Sequence, residues 1–195
     1  MDKRILKTTK LIKDGELRRF IDGFLERIPT KFWTVPSSSS GKYHPPEDNG
    51  KTGLVIHTLK AVQIGINLCN LYEVKQKNKD IVISAILLHD TFKNWTGFEW
   101  GKYTNYEHGK IGADRIRVEA SNQYNFIYGE IISYKTYKKI LKIARLVEIH
   151  MGRWTKPKAY YNKFRKRLEQ IIIEADYLAS RKGISFKVKE VIDEK

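Results

Sequence analysis

The stretch Ile81-Val82-Ile83-Ser84-Ala85-Ile86-Leu87-Leu88-His89-Asp90-Thr91-Phe92-Lys93 constrains this chain more than any other. Eight small or apolar residues run without a charge into an adjacent His-Asp pair, and a lysine follows three residues after the aspartate. Such a run belongs inside a fold, yet it ends on two groups that are costly to bury without partners. Two readings are open on the stretch alone. His89 and Asp90 can cap a helix C-terminus and face water. Alternatively a divalent cation satisfies both, because neutral imidazole and carboxylate are complementary ligands.

Apolar residues elsewhere recur at helical spacing. Leu17, Phe20, Ile21, Phe24, Leu25 and Ile28 line one face of a helix that follows a short basic segment, started by Asp14 or Gly15 and stopped by Pro29. A Ser-, Gly- and Pro-rich loop from Val35 to Gly50 is too long to be a plain connection, and such loops tend to shape sites. Thr52 is predicted to open a second helix, with His57 one turn in. The third is the 81–90 run, begun by Asn78 or Asp80. Residues 91–104 form an aromatic loop. A fourth helix is expected from near Tyr106 to about Ala120, and a fifth from about Thr136 to Ile149, ending at His150. The last runs from about Ala159 to Ser180, closed by Gly183 and holding Asp176 amid apolar residues. Residues 184–191 alternate in the manner of a short strand. With no strand–helix alternation, the expected class is all-α, a bundle of about six or more helices.

Four Trp, eleven Tyr and eight Phe in 195 residues provide a core and argue against disorder. No apolar run approaches the ~18 residues of a membrane span, and Met1-Asp2-Lys3-Arg4 leads into no signal-peptide core. The lone Cys69 reads as a buried small hydrophobe in a reducing compartment, so a cytoplasmic protein without a membrane partner is expected. The net charge of +15 is unevenly spread: +6 over residues 1–80, −1 over 81–130 and +10 over 131–195. That concentration favours a polyanion such as a nucleotide or single-stranded nucleic acid; a lysine-rich background is the plainer reading.

Four of the five histidines, His57, His89, His108 and His150, lie at inferred helix ends or beside apolar runs, as do Asp90 and Asp176. Any one alone reads as a satisfied core residue, but six together suggest helix termini converging on a metal site. Their order resembles the H…HD…D pattern of the HD-domain metal-dependent phosphohydrolase superfamily. Gly53-Leu54-Val55-Ile56-His57-Thr58-Leu59 resembles its first-ligand segment, and Leu87-Leu88-His89-Asp90-Thr91-Phe92-Lys93 its L-L-H-D-I-G-K segment, with Thr-Phe in place of Ile-Gly. Glu107-His108-Gly109 and Ile149-His150 resemble the extra histidines of members with two metals. The resemblance spans about residues 42–182. It implies a single domain over 1–195, with an N-terminal helix and loop (1–51), an HD-type metal-binding core (52–182) and a tail (183–195).

The resemblance further implies one ion held by His57, His89, Asp90 and Asp176, and a second held by His108, His150 and a bridging Asp90. Mixed nitrogen and oxygen donors suit Mn, Fe, Co, Ni or Zn. Two such ions clamp the attacking and leaving oxygens of a phosphoester, and Lys93 is placed to stabilise charge on the phosphoryl group beside Asp90. Twelve basic residues against one acid, with aromatics interleaved, lie between Lys135 and Arg167. Within that stretch Arg153, Lys156 and Lys158 are the candidates for substrate contact, with His44 a further one from the Ser/Pro loop. The implied function is metal-dependent phosphoester hydrolysis on a nucleotide or nucleic acid, including a 3′–5′ exonuclease-like activity. The alternative is a non-catalytic nucleotide or nucleic-acid sensor on the same scaffold.

Overall fold

A computed structural model describes residues 2–124, 132–155 and 166–184. Lys156, Lys158, the expected start of the last helix and the alternating segment beyond Ile184 lie outside the described residues. The described chain is helical, as its periodicities imply, and its only extended pairing is one isolated bridge between Trp95 and Trp100.

Helix α1 (Lys3–Thr9) was not expected. Asp2 caps it, accepting from the Arg4 amide at 2.8 Å, and Ile5, Thr8 and Thr9 are buried. Helix α2 (Gly15–Glu26) opens on Asp14, whose Oδ1 accepts from the Leu17 amide, and it ends two residues before Pro29. Its predicted face is the buried one. Helices α3 (Gly53–Leu71), α4 (Gln76–Leu88), α5 (His108–Tyr124), α6 (Tyr134–Ile149) and α7 (Arg167–Ala179) follow.

Helix α4 begins at Gln76, ahead of either predicted start, and every residue from Asp80 to Leu88 is buried. The missed first turn, Gln76-Lys77-Asn78-Lys79, is polar and carries neither an apolar periodicity nor a side-chain cap at Lys75, so nothing in the sequence signals it. Around it, α3 packs on α4 and α7, while α6 packs on α4 and α5. Helix α5 begins at His108 rather than Tyr106; α7 ends at the expected place, but Ser180 and not Gly183 is its cap. Helix α3 is long and apolar enough, by length and composition, to cross a membrane, although its sequence lacks an unbroken apolar run. Of that stretch 61% is buried inside the bundle, the position of a core helix.

Thr52 does not cap α3 with its side chain. It takes a left-handed conformation (φ 70°), and the turn closes instead through Gly53 N–H to Gly50 O (3.0 Å) and Leu54 N–H to Val35 O (3.0 Å). Gly53 itself has no alternative, since a Cβ there would stand 1.9 Å from the Asp48 carbonyl oxygen. The Ser/Pro loop is thereby pressed onto the first turn of α3, one turn from His57. Cys69 is fully buried, and burial pushes its thiol up to about 11.

Candidate metal centre

Four helix termini and the middle of α7 meet at one point. His57 comes from the second turn of α3, and His89 is the C-cap of α4 with Asp90 next to it. His108 is the first residue of α5, His150 is the C-cap of α6, and Asp176 lies within α7. Asp176 keeps 22% of its side-chain surface exposed; the other five are almost fully buried. The six sequence-derived candidates therefore share one cluster.

Three histidines are held in the same way. Nδ1 of His89 lies 2.6 Å from Ile86 O, Nδ1 of His108 2.6 Å from Asn105 O, and Nδ1 of His150 2.7 Å from Val147 O. A carbonyl only accepts, so each Nδ1 carries the proton, and in the neutral ring each Nε2 presents a lone pair. Two of these carbonyls lie in the last turn of α4 and of α6, where backbone donors run short; that of Val147 receives only a long bond from the His150 amide, 3.5 Å. A histidine at a helix C-terminus thus bonds a terminal carbonyl and aims its other nitrogen forward.

Those nitrogens face one another. His108 Nε2 and His150 Nε2 are 3.0 Å apart, and His57 Nε2 and His89 Nε2 are 3.3 Å apart. Asp90 divides between the two pairs. Its Oδ1 lies 3.0 Å from His108 Nε2 and 3.6 Å from His150 Nε2, while its Oδ2 lies 3.6 Å from His57 Nε2 and 3.4 Å from His89 Nε2. Asp176 Oδ1 completes the second side, 3.1 Å from His57 Nε2 and 3.5 Å from His89 Nε2. Donors about 2.1 Å from a common ion stand about 3.0 Å apart at right angles and about 3.4 Å apart at the tetrahedral angle. Five of the eight observed spacings fall in that range, and the other three exceed it by no more than 0.2 Å. Opposed lone pairs 3.0 Å apart repel unless a proton or a cation lies between them, so this donor set fits divalent ions.

Electrostatics within the cluster are uneven. Burial dominates at His57 and pushes its pKa down to about 4, so it stays neutral. Burial also opposes charge on His89, but the adjoining carboxylates of Asp90 and Asp176 outweigh it and raise its pKa. Burial would raise Asp90, yet Lys93 and the histidines hold it well below the usual carboxylate range. Asp176 is depressed against burial in the same sense by His57 and His89. Lys93 Nζ lies 2.6 Å from Asp90 Oδ2.

The segment after the His-Asp pair accommodates Thr-Phe without strain. Thr91 Oγ1 donates to Leu88 O at 2.8 Å, and Phe92 packs edge-on against Phe24 and Trp95. The aromatic loop then returns through Asn105, whose N–H donates to Lys93 O at 2.8 Å and whose carbonyl accepts from His108. Lys93 and His108 are positioned by one turn. On the far side, Gly109 lets α5 approach α6: a Cβ there would stand 3.0 Å from the Glu148 and Val147 carbonyl oxygens.

A second buried charge cluster was missed in the sequence. Lys60, 2% exposed, donates from Nζ to Glu47 Oε1 (2.7 Å) and Asp48 Oδ1 (2.8 Å). Burial would raise Asp48, but His44 and Lys60 lower it. Its signal was a lysine interrupting the apolar run Leu59 to Val62. His44 belongs to this cluster: its Nδ1 lies 2.8 Å from Ser37 Oγ and 3.6 Å from Asp48 Oδ2, and its ring lies 5.1 Å from that of His57. His44, Asp48 and His57 form a further possible metal grouping, but Lys60 already provides Asp48 with a cation. Arg153 is exposed at the turn following α6, its guanidinium 4.2 Å from the Trp154 ring.

Compared with known protein families, residues 54–181 match the family model of the HD domain. Neither a curated protein nor a solved structure matches the chain significantly.

Proposed function

Because the chain belongs to the HD-domain family, whose members are generally metal-dependent hydrolases of the phosphohydrolase superfamily, we propose that it hydrolyses a phosphoester of a nucleotide or nucleic acid. In this reading His57, His89, Asp90 and Asp176 hold one divalent ion, and Asp90, His108 and His150 hold a second. The observation that carries it is the division of Asp90, with one oxygen turned to each histidine pair. A carboxylate can serve two ions through its two oxygens, and an imidazole cannot. When bound, such ions supply Lewis acidity towards the phosphoryl group and make a nucleophile available from water near neutral pH.

The chain's own groups do the rest. Three Nδ1–H bonds fix the tautomer, so in the neutral ring Nε2 of His89, His108 and His150 faces the cluster as a lone pair; at His89 the neighbouring carboxylates favour an added proton, which a cation would have to displace. Lys93 steadies Asp90 in the resting state, and its ammonium is placed to offset charge on a phosphoryl oxygen during reaction. Burial of the donors excludes bulk water from all but the Asp176 side, so substrate approach is assigned to that side.

The test is a panel of phosphomonoesters, nucleotides and short oligonucleotides offered with Mn²⁺, Fe²⁺, Co²⁺, Ni²⁺ or Zn²⁺. Turnover that needs a divalent metal and disappears in Asp90→Ala is the expected result; metal-independent turnover, or none with any substrate, overturns the reading. Salt separates strand from mononucleotide. Binding of a single strand falls with a log–log slope of about −0.7 per phosphate contact, whereas a mononucleotide gives a slope of only one or two contacts.

A further inference from the structure

Between the turn after α6 and helix α7 the surface holds a groove of about 500 Å³. Two of its walls are Trp154 and Tyr177, whose rings lie within 10° of parallel with centroids 6.4 Å apart. Both rings are open to solvent, at 48% and 42% exposure, which packing alone does not call for. Each carries an arginine at 4.2 Å from its centroid, Arg153 on Trp154 and Arg181 on Tyr177. Among the described residues no carboxylate lies within ion-pair distance of either arginine. Arg181 also stands 5.3 Å from the ring of Tyr43, over which Lys42 Nζ sits at 5.3 Å. Cations and aromatic faces therefore alternate from the turn after α6, across α7, to the Ser/Pro loop.

Both walls adjoin the donor cluster along the chain. Trp154 is four residues beyond His150, and Tyr177 follows Asp176 directly. We propose that the Trp154–Tyr177 pair is a stacking platform for one nucleobase, and that Arg153 and Arg181 take the phosphates on either side of it. This rests on the reading of the neighbouring cluster as a phosphohydrolase centre. The two rings are near-parallel with centroids 6.4 Å apart and both are open to solvent, so they offer a base exposed aromatic surface to stack on. An exposed cation–π contact is weaker than a charge-assisted bond to phosphate; Arg153 can exchange one for the other, and Arg181 can do so by giving up long neutral bonds to Tyr177 O (3.3 Å) and Ser180 Oγ (3.1 Å). Glu174 lines the same groove and provides an acceptor that a base edge can use and a phosphate cannot.

The experiment is a double cycle between ring and base. Binding of the full chain to a fluorescent, phosphorothioate-linked single-stranded decamer is followed by anisotropy and compared with a decamer of the same backbone without bases. Trp154→Ala and Tyr177→Ala should each weaken binding of the base-containing decamer about tenfold and leave the difference between the two ligands largely abolished. Trp154→Phe and Tyr177→Phe should retain most of that difference, which separates stacking from misfolding. If wild type binds both decamers equally, or Trp154→Ala weakens both by one factor, the platform is overturned. Competition by a nucleoside 5′-monophosphate at a concentration matching the decamer assigns the base to a free nucleotide; failure to compete assigns it to a strand. Metal-dependent hydrolysis is measured separately on the same ligands. A chain that discriminates bases through Trp154 and hydrolyses nothing keeps the platform and loses the phosphohydrolase reading.

Discussion

Two of the places where the molecule buries charge are built on opposite plans. The Lys60 cluster contains its own cation, an ammonium within 2.8 Å of two carboxylates. The cluster around Asp90 has three histidines whose remaining ring protons all point away from it, towards backbone carbonyls, so its interior is lined with lone pairs and carboxylate oxygens. Lys93 reaches one edge of it, on a single oxygen. The first cluster is neutralised by its own ammonium and fastens the Ser/Pro loop to α3. The second presents a donor set that fits an ion. Buried charge by itself therefore says little about function; what separates scaffold from receptor is where the protons point.

The largest expected effect comes from removing the shared oxygen pair. Asp90→Ala should lower turnover by about a thousandfold or more and strip both ions, as read by steady-state rates and elemental analysis. Retention of metal at the wild-type level would break the comparison at its centre. Lys60→Met should do the reverse. It takes the ammonium from Oδ1 of a buried Asp48 whose Oδ2 already lacks a hydrogen bond, so unfolding in urea should come at a stability lower by about 3 kcal/mol, while metal per folded chain stays as in wild type. Loss of metal there would show that the two clusters are one.

A middle-sized effect sharpens the receptor side. His108→Ala or His150→Ala should bring metal content down to one ion per chain, with the first site still loaded. In wild type, metal at about a hundred times its dissociation constant should raise stability by about 2.7 kcal/mol, and Asp90→Ala should show almost no shift in melting temperature. The smallest effect lies outside both clusters. Glu16 is raised by burial but lowered more by the Thr136 and Ser133 hydroxyls, so its pKa sits below the ordinary 4.5. A depressed carboxylate contributes stability that is present above its unfolded pKa and is lost as pH falls through the folded one. Glu16→Gln should therefore lower stability slightly at neutral pH, where the ionised carboxylate contributes, and flatten the profile below about pH 4.5, as followed by thermal melts across pH.

What could be read in advance depended on range. Leu17 to Ile28 repeat on one face, so α2 was legible from neighbours alone; α1 was not, because seven residues with two lysines and an arginine show no periodicity. The six donors were legible as types at helix ends. Their sharing of a centre was legible only through the resemblance, since no local rule relates His57 to Asp176 across 119 residues. His44 shows the limit from the other side. It was expected at a substrate mouth and lies buried beside His57 on Ser37 and Asp48, a placement that depends on a 3-10 turn at Pro46–Asn49 and a lysine in the next helix. The Trp154–Tyr177 pairing was invisible for the same reason: it exists only once α7 has docked beside the turn after α6.

One feature of the backbone bears on how such a chain changes over generations. At Gly109 the helix carrying His108 rests directly on the carbonyls of the helix that ends in His150. The 3.0 Å between those two imidazoles is therefore set by main-chain contact rather than by the rings themselves. A methyl group at that position would ask the two helices to give by a few tenths of an ångström while every donor kept its identity. A descendant could thus change the spacing of His108 and His150 in one step with all six histidines and aspartates intact, and an inventory of ligand residues would not register it.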